Sequence, residues 1–150
     1  MTHKKFGSYY VLRLFPGDEL KESIRQFCLS PEVPRSGTKG DHRSLTNVWF
    51  FGIGAVGQAT LSLYDTKKRG YRTKTFKQQL ELVSVNGNVS VDGKVHAHAA
   101  FADHSYQMIG GHLEKAVISV TGEIILMPVP GKLSRKFDKT TGLNLLALSK

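Results

Sequence analysis

The residues best suited to chemistry lie in one stretch, VHAHAAFADHSYQMIGGHLEKA, from Val95 to Ala116, which holds four of the chain's six histidines. His96 and His98 are separated by a single residue. On a β-strand, side chains at i and i+2 share a face, roughly 6.5 Å apart along it. A turn is expected near Asp103 to Tyr106. If it centres on position 105, His112 falls directly opposite His98 on the returning strand, and directly opposite residues point to the same face. A bulge at Gly110-Gly111 would instead move His112 by one position. Three neutral imidazoles suit Zn²⁺ and leave a fourth position open to water. Bound there, the ion would lower the water's pKa toward neutrality. The competing reading is a set of polar or interface histidines without metal, and an H-x-H pair alone does not separate the two.

The other histidines are weaker candidates. His104 is expected in the turn, His3 near a solvated terminus, and His42 within Gly-Asp-His turn chemistry. Glu123 interrupts an apolar run, TGEIILMPV, and a charge there needs a partner. It could support a metal ligand, act as a general base and proton carrier, or form half of an ion pair between chains.

A second cluster is basic: KKRGYRTKTFK, Lys67 to Lys77, has six cationic residues and no acid. Lys67, Lys68, Arg69, Arg72, Lys74 and Lys77, with Tyr71 and Phe76 between them, are suited to neutralising nucleic-acid phosphates. They equally suit a solvated loop between two strands.

The elements that must position these groups follow from pattern. Tyr9 to Phe15 is a short strand closed by Pro16-Gly17. Asp18 is the expected N-cap of a helix, with Glu19 and Glu22 in its first turns. Leu20, Ile24, Phe27 and Cys28 form its apolar stripe, and Pro31 ends it. Pro31 to Thr46 is the expected loop. Val48 to Tyr64 is strand material in which Gly52, Gly54 and Gly57 suggest a bend or a close backbone approach. Phe76 to Val85 is expected as a strand. Asn86-Gly87-Asn88 and Asp92-Gly93 are hairpin turn signals. Lys94 to Ala102 and Val117 to Val129 are further strands, and the apolar tail Leu143 to Leu148 is a last strand or an interface element. One early helix followed by many strands predicts an α+β fold with a mostly antiparallel sheet.

Composition bounds the reading. The chain has 150 residues, the size of one compact domain covering 1–150. Its net charge of +9 suits an anionic partner, and also plain solubility. The one cysteine, Cys28, rules out an internal disulfide and a cysteine zinc cage, and favours a reducing compartment. Charges at Arg13, Asp18 and Glu19 interrupt any signal-peptide core. The longest near-apolar run, VWFFGIGAVG, falls far short of the roughly 20 residues of a membrane span. A soluble cytoplasmic protein, with no membrane partner, is expected.

Several ordered motifs together resemble a known family: LRLFPGDEL (Leu12 to Leu20), FFGIGAVGQATLSLYD (Phe50 to Asp65), QLELVSVNGNVS (Gln79 to Ser90), VHAHAAFAD (Val95 to Asp103), IGGHL (Ile109 to Leu113) and VTGEIIL (Val120 to Leu126). They resemble the plants and prokaryotes conserved (PPC) domain, prokaryotic branch. The resemblance implies an α+β antiparallel fold, similar to that of alpha-acetolactate decarboxylase, and a homotrimer. It also implies a bound metal at the H-x-H and G-G-H histidines, here His96, His98 and His112. Plant members carry an AT-hook, Arg-Gly-Arg-Pro, that enters the DNA minor groove. Neither VPRSGTKGDHR nor KKRGYR contains that core, so any DNA binding here proceeds without an AT-hook. Two functions follow as expectations. One is a trimeric DNA-binding or regulatory module with a histidine-bound metal. The other is a zinc-dependent enzyme, a decarboxylase or hydrolase, acting on a small anionic substrate.

Overall fold

The computed structural model describes residues 1–30, 45, 47–131 and 133–148. The chain opens with a hairpin, β1 (Thr2–Phe6) and β2 (Tyr9–Leu14), turning at Gly7 with φ 59°. The N-terminus is therefore a strand, and the His3 ring packs edge-on to Phe27 at 4.8 Å. His3 is exposed there, as expected of a solvated position, and has this ring contact in addition.

Helix α1 (Leu20–Leu29) buries Leu20, Ile24, Phe27 and Cys28, the expected stripe. Its N-cap is Glu19 rather than Asp18. The Glu19 carboxylate accepts from the N–H groups of Lys21 (3.3 Å) and Glu22 (2.7 Å), and also from Ala116 N–H at 3.1 Å. Asp18 is otherwise engaged: it accepts from Phe15 N–H at 2.8 Å across the Pro16-Gly17 turn and pairs with the N-terminal ammonium at 3.0 Å. The loop expected from Pro31 to Thr46, with His42 in it, lies outside the described residues except for Leu45, which is buried.

The remaining strands are β3 (Val48–Asp65), β4 (Gly70–Phe76), β5 (Leu80–Val89), β6 (Val95–Ala102), β7 (Met108–Pro128), β8 (Ser134–Asp138) and β9 (Leu143–Ala147). A seven-stranded sheet runs β1-β2-β7-β6-β5-β3-β4, and an added β7–β3 pairing closes β3, β5, β6 and β7 into a ring. Its pairings are antiparallel, so the expected fold class holds. Strands β8 and β9 form a separate two-stranded hairpin.

The glycines of β3 serve as expected. The register shifts between Gly52 and Gly54, and a side chain at Gly52 would strike the Glu123 carbonyl and Ile124. Asn86-Gly87-Asn88, expected as a turn, lies inside β5 instead. Gly87 is needed there because the Phe50 ring and the His96 carbonyl occupy the space a side chain would fill. The turn is made only by Asp92-Gly93, with Gly93 at φ 74° and its N–H on the Ser90 carbonyl at 2.9 Å. The strand expected over Phe76 to Val85 is accordingly two pieces, Phe76 closing β4 and Leu80 opening β5. The strand expected from Val117 begins nine residues earlier, at Met108. The apolar tail is strand β9.

The core lies between α1 and the inward face of the sheet. Leu12, Leu14, Val85, Ala97, Phe101, Leu113, Ile124 and Leu126 meet Ile24 and Phe27 there. Alternation along β6 buries Ala97, Ala99 and Phe101, which sends His96 and His98 to the opposite face.

Candidate metal centre

His98 and His112 are directly opposed across β6 and β7, and the register continues without a shift to Ala102 opposite Met108. The turn between them is built by Asp103, whose Oδ1 accepts from Ser105 N–H (2.8 Å) and Gln107 N–H (3.0 Å). The Gly110-Gly111 bulge does not occur. Those glycines serve packing: a Cβ at Gly110 would sit 2.9 Å from the Ala99 carbonyl, and one at Gly111 2.9 Å from that of Ser62. The same turn leaves His104 exposed and apart from the cluster.

His96, His98 and His112 converge, with ring centroids 5.1–5.4 Å apart. Each offers a ring nitrogen, and these nitrogens lie within 4.8 Å of one another. Tetrahedral zinc with bonds of about 2.0–2.1 Å wants its nitrogens roughly 3.3 Å apart, a gap that side-chain rotation closes. The donor set thus fits a divalent ion of zinc type, and the three histidines could hold one.

At His96 and His112 the electrostatics favour the neutral ring, the form a metal requires. Burial pushes the His96 pKa down to about 4, and the Arg135 guanidinium, the other two imidazoles and Lys21 push the same way. Burial also lowers that of His112, against an opposing pull from Glu114, whose carboxylate lies 3.9 Å from Nε2.

Three neighbours were not legible in the sequence. Arg135, on β8, donates from Nη2 to His96 Nδ1 (2.9 Å) and Asn88 Oδ1 (3.0 Å), and from Nη1 to the Asn144 carbonyl (3.2 Å). The Tyr71 ring lies 5.7 Å from that of His112, and Lys21 Nζ donates to the Leu113 carbonyl at 2.7 Å. Nothing in GKLSRKFD distinguishes Arg135 from the other basic residues of the tail. Tyr71 is visible only as an aromatic within a basic run. A cleft of about 290 Å³ opens here, lined in part by Tyr71, His96, His112, Arg135 and Leu145.

Glu123 is elsewhere. It is exposed, opposite Arg13 on β2 and Ile53 on β3. It shares β7 with His112 but lies eleven residues further along it, up to roughly 36 Å along an extended strand. The structure therefore does not bring Glu123 to the histidines, and it lines a different cleft of about 380 Å³ with Val11, Phe51 and Ile125.

The six basic residues do not form a loop. Lys67, Lys68 and Arg69 occupy the β3–β4 turn, where Asp65 Oδ1 accepts from Lys67 N–H (3.0 Å) and Lys68 N–H (3.1 Å). Arg72 and Lys74 alternate along β4, at the sheet edge, and Lys77 follows it. All six are exposed.

Fold and cluster together define a class: a ring-closed antiparallel β-domain that gathers three imidazoles on its outward face. The family model of the Plants and Prokaryotes Conserved (PCC) domain matches residues 39–130, and the chain belongs to that family. A metal-containing protein of Archaeoglobus fulgidus is 28% identical, with TM-score 0.77 and 99% of each chain covered. A plant- and prokaryote-conserved protein of Pyrococcus horikoshii is 26% identical, with TM-score 0.76, covering 99% of this chain and 95% of that one. A Bacteroides thetaiotaomicron protein described as a candidate DNA-binding protein is 25% identical, with TM-score 0.83, covering 97% and 96%. The bifunctional protein GlmU of a Synechococcus strain is 33% identical over 135 residues. The chain spans about a fifth of the length of the curated relatives it matches (19% and 20%). Among the described residues, no helix is long and apolar enough to cross a membrane.

Proposed function

We propose that the chain is a single-domain regulatory module, a cytoplasmic homotrimer that holds a zinc-type ion on His96, His98 and His112 and engages DNA phosphates through its basic β3–β4 edge. The observation that carries the metal is the convergence of three histidines from two strands on one outward face. The metal-containing relative from Archaeoglobus supports it. Metal analysis of purified protein, repeated after substitution of each histidine, is the test. Protein that holds no divalent ion and whose stability ignores chelators refutes the metal.

Subunit contact is supported by the outward face of the ring, where Phe51 (42% exposed) and Ile53 (56% exposed) leave apolar surface uncovered. A solution mass measurement tests it, and a clean monomer overturns the trimer. DNA engagement is supported by the net charge of +9, by the exposed residues Lys67, Lys68, Arg69, Arg72, Lys74 and Lys77, and by the candidate DNA-binding relative. Without an AT-hook, binding runs through phosphates, so it is salt-sensitive and sequence-tolerant. No mobility shift at low salt removes this part.

One observation favours a second reading, a zinc-dependent decarboxylase or hydrolase acting on a small anion: the guanidinium placed against a candidate ligand. A bound zinc-type ion would supply Lewis-acid polarisation, and Arg135 would orient the anion.

A further inference from the structure

We propose that Arg135 turns the histidine centre into a composite site for a small carboxylate, which binds together with the metal and lies between it and the guanidinium. The proposal rests on the metal reading above and names the ligand class of that site.

The argument starts from what Arg135 does to His96. A guanidinium carries N–H donors and no acceptor, so Nδ1 of His96 is the acceptor of the 2.9 Å contact. A metal on Nδ1 would displace the guanidinium outright. A metal on Nε2 would leave the ring's proton on Nδ1, facing the N–H groups of Arg135. By either nitrogen, metal uptake breaks this contact and sets a cation beside a cation.

Arg135 is held close. Asn88 of β5 takes Nη2 at 3.0 Å, and the Asn144 carbonyl of β9 takes Nη1 at 3.2 Å. Among the described residues no carboxylate pairs with it, and Glu114 reaches His112 instead. Its Nε is buried without a partner. An anion between metal and guanidinium resolves the repulsion and takes up the released donors. Release of His96 leaves one N–H free on Nη2, and a second is already free on Nη1. These two donors, one on each terminal nitrogen, suit the two oxygens of a carboxylate. The cleft, about 290 Å³ with Tyr71, Leu143 and Leu145 among its walls, has room for a small carboxylate. Lys94 on its rim is already paired with Asp92 at 3.2 Å.

Binding of the two ligands must then be linked, and linkage is reciprocal. The test is calorimetric titration of zinc into metal-free protein, with and without saturating acetate, for the native chain, Arg135→Met and Arg135→Lys. For the native chain, acetate should tighten zinc binding about tenfold or more. Without acetate, Arg135→Met should bind zinc at least as tightly as the native chain, because the competing donor is gone, and acetate should leave it unchanged. Arg135→Lys, which keeps the charge and loses the fork, should show a reduced response. A circular-dichroism melt checks that each variant is folded. Zinc binding that ignores acetate in the native chain, or that responds equally in Arg135→Met, overturns the carboxylate site and leaves the metal centre standing. No zinc binding to the native chain under either condition overturns both.

Discussion

Replacing Gly87 by alanine tests how tightly the ring positions the histidines. The new Cβ would lie 2.5 Å from Phe50 Cζ and 2.9 Å from Phe50 Cε1, and it would collide with the His96 carbonyl oxygen. Ordinary carbon contacts fall at about 3.5–4.0 Å, so the ring has to yield by roughly 1 Å. Phe50 is a core side chain, 2% exposed, and overpacking of this kind costs about 1–3 kcal/mol. Alanine's smaller unfolded-state entropy returns about 0.4–1 kcal/mol. The expected net loss is about 1–2 kcal/mol, a fall in Tm of roughly 2–8 °C for a chain this size. Phe50→Leu in the same chain should relieve the ring contact but not the backbone one, so its rescue should be partial. Because the backbone contact lies at His96 itself, β6 should shift relative to β7. Metal–ligand distances tolerate only about 0.2 Å, so zinc affinity should fall about tenfold, about 1.4 kcal/mol. Gly57→Ala is the control: its Cβ meets only Ser119 Cβ, at an ordinary 3.6 Å, and it should be neutral or slightly stabilising. Denaturant melts and zinc titrations on the three variants give the answer. Gly87→Ala with native stability and native zinc affinity would refute the reasoning.

Four further outcomes are expected. His98→Ala should lose at least tenfold in zinc affinity while folding normally, since His98 is exposed; metal analysis and a thermal melt check both halves. In metal-free protein, NMR should show His96 titrating near pH 4, and Arg135→Met should raise that midpoint. Because the folded value lies below the ordinary 6.5, the unfolded chain binds the extra proton first; the stability linked to His96 is complete above about pH 6.5 and is lost as pH falls toward 4, which melts across that range would follow. Glu19→Ala should cost about 1–2 kcal/mol in denaturant melts, since it removes the helix cap and the bond to Ala116 N–H.

The sequence was most legible where one rule acted alone. Strand alternation set His96 and His98 on one face, and a turn centred on position 105 set His112 opposite His98. Helical spacing found the stripe Leu20, Ile24, Phe27 and Cys28. It was least legible where two rules competed. Asn-Gly carries a turn signal, yet Gly87 is there for the Phe50 ring, a partner 37 positions away in the chain. Both Asp18 and Glu19 suit a cap, and the N-terminal ammonium and Phe15 N–H claimed the first. Cationic composition marked Lys67 to Lys77 as a loop, although Tyr71, Thr73 and Thr75 alternate with Arg72 and Lys74 as an edge strand does. Arg135 had no local signature, because its importance comes entirely from the hairpin that carries it back to β5 and β6.

Strand β7 has a consequence for how the protein comes into being. It pairs with β2, with both halves of β3 and with β6. None of these pairings exists until residues near the C-terminal end of the ring have left the ribosome, so the earlier strands wait with their edges open. Folding governed by such distant partners is slow, and open edges invite association with other chains. His112 arrives on the same late strand, so the candidate metal centre is completed in the step that closes the ring. A nascent chain holds at most two of the three histidines, and uptake of an ion by all three would report that the ring has shut.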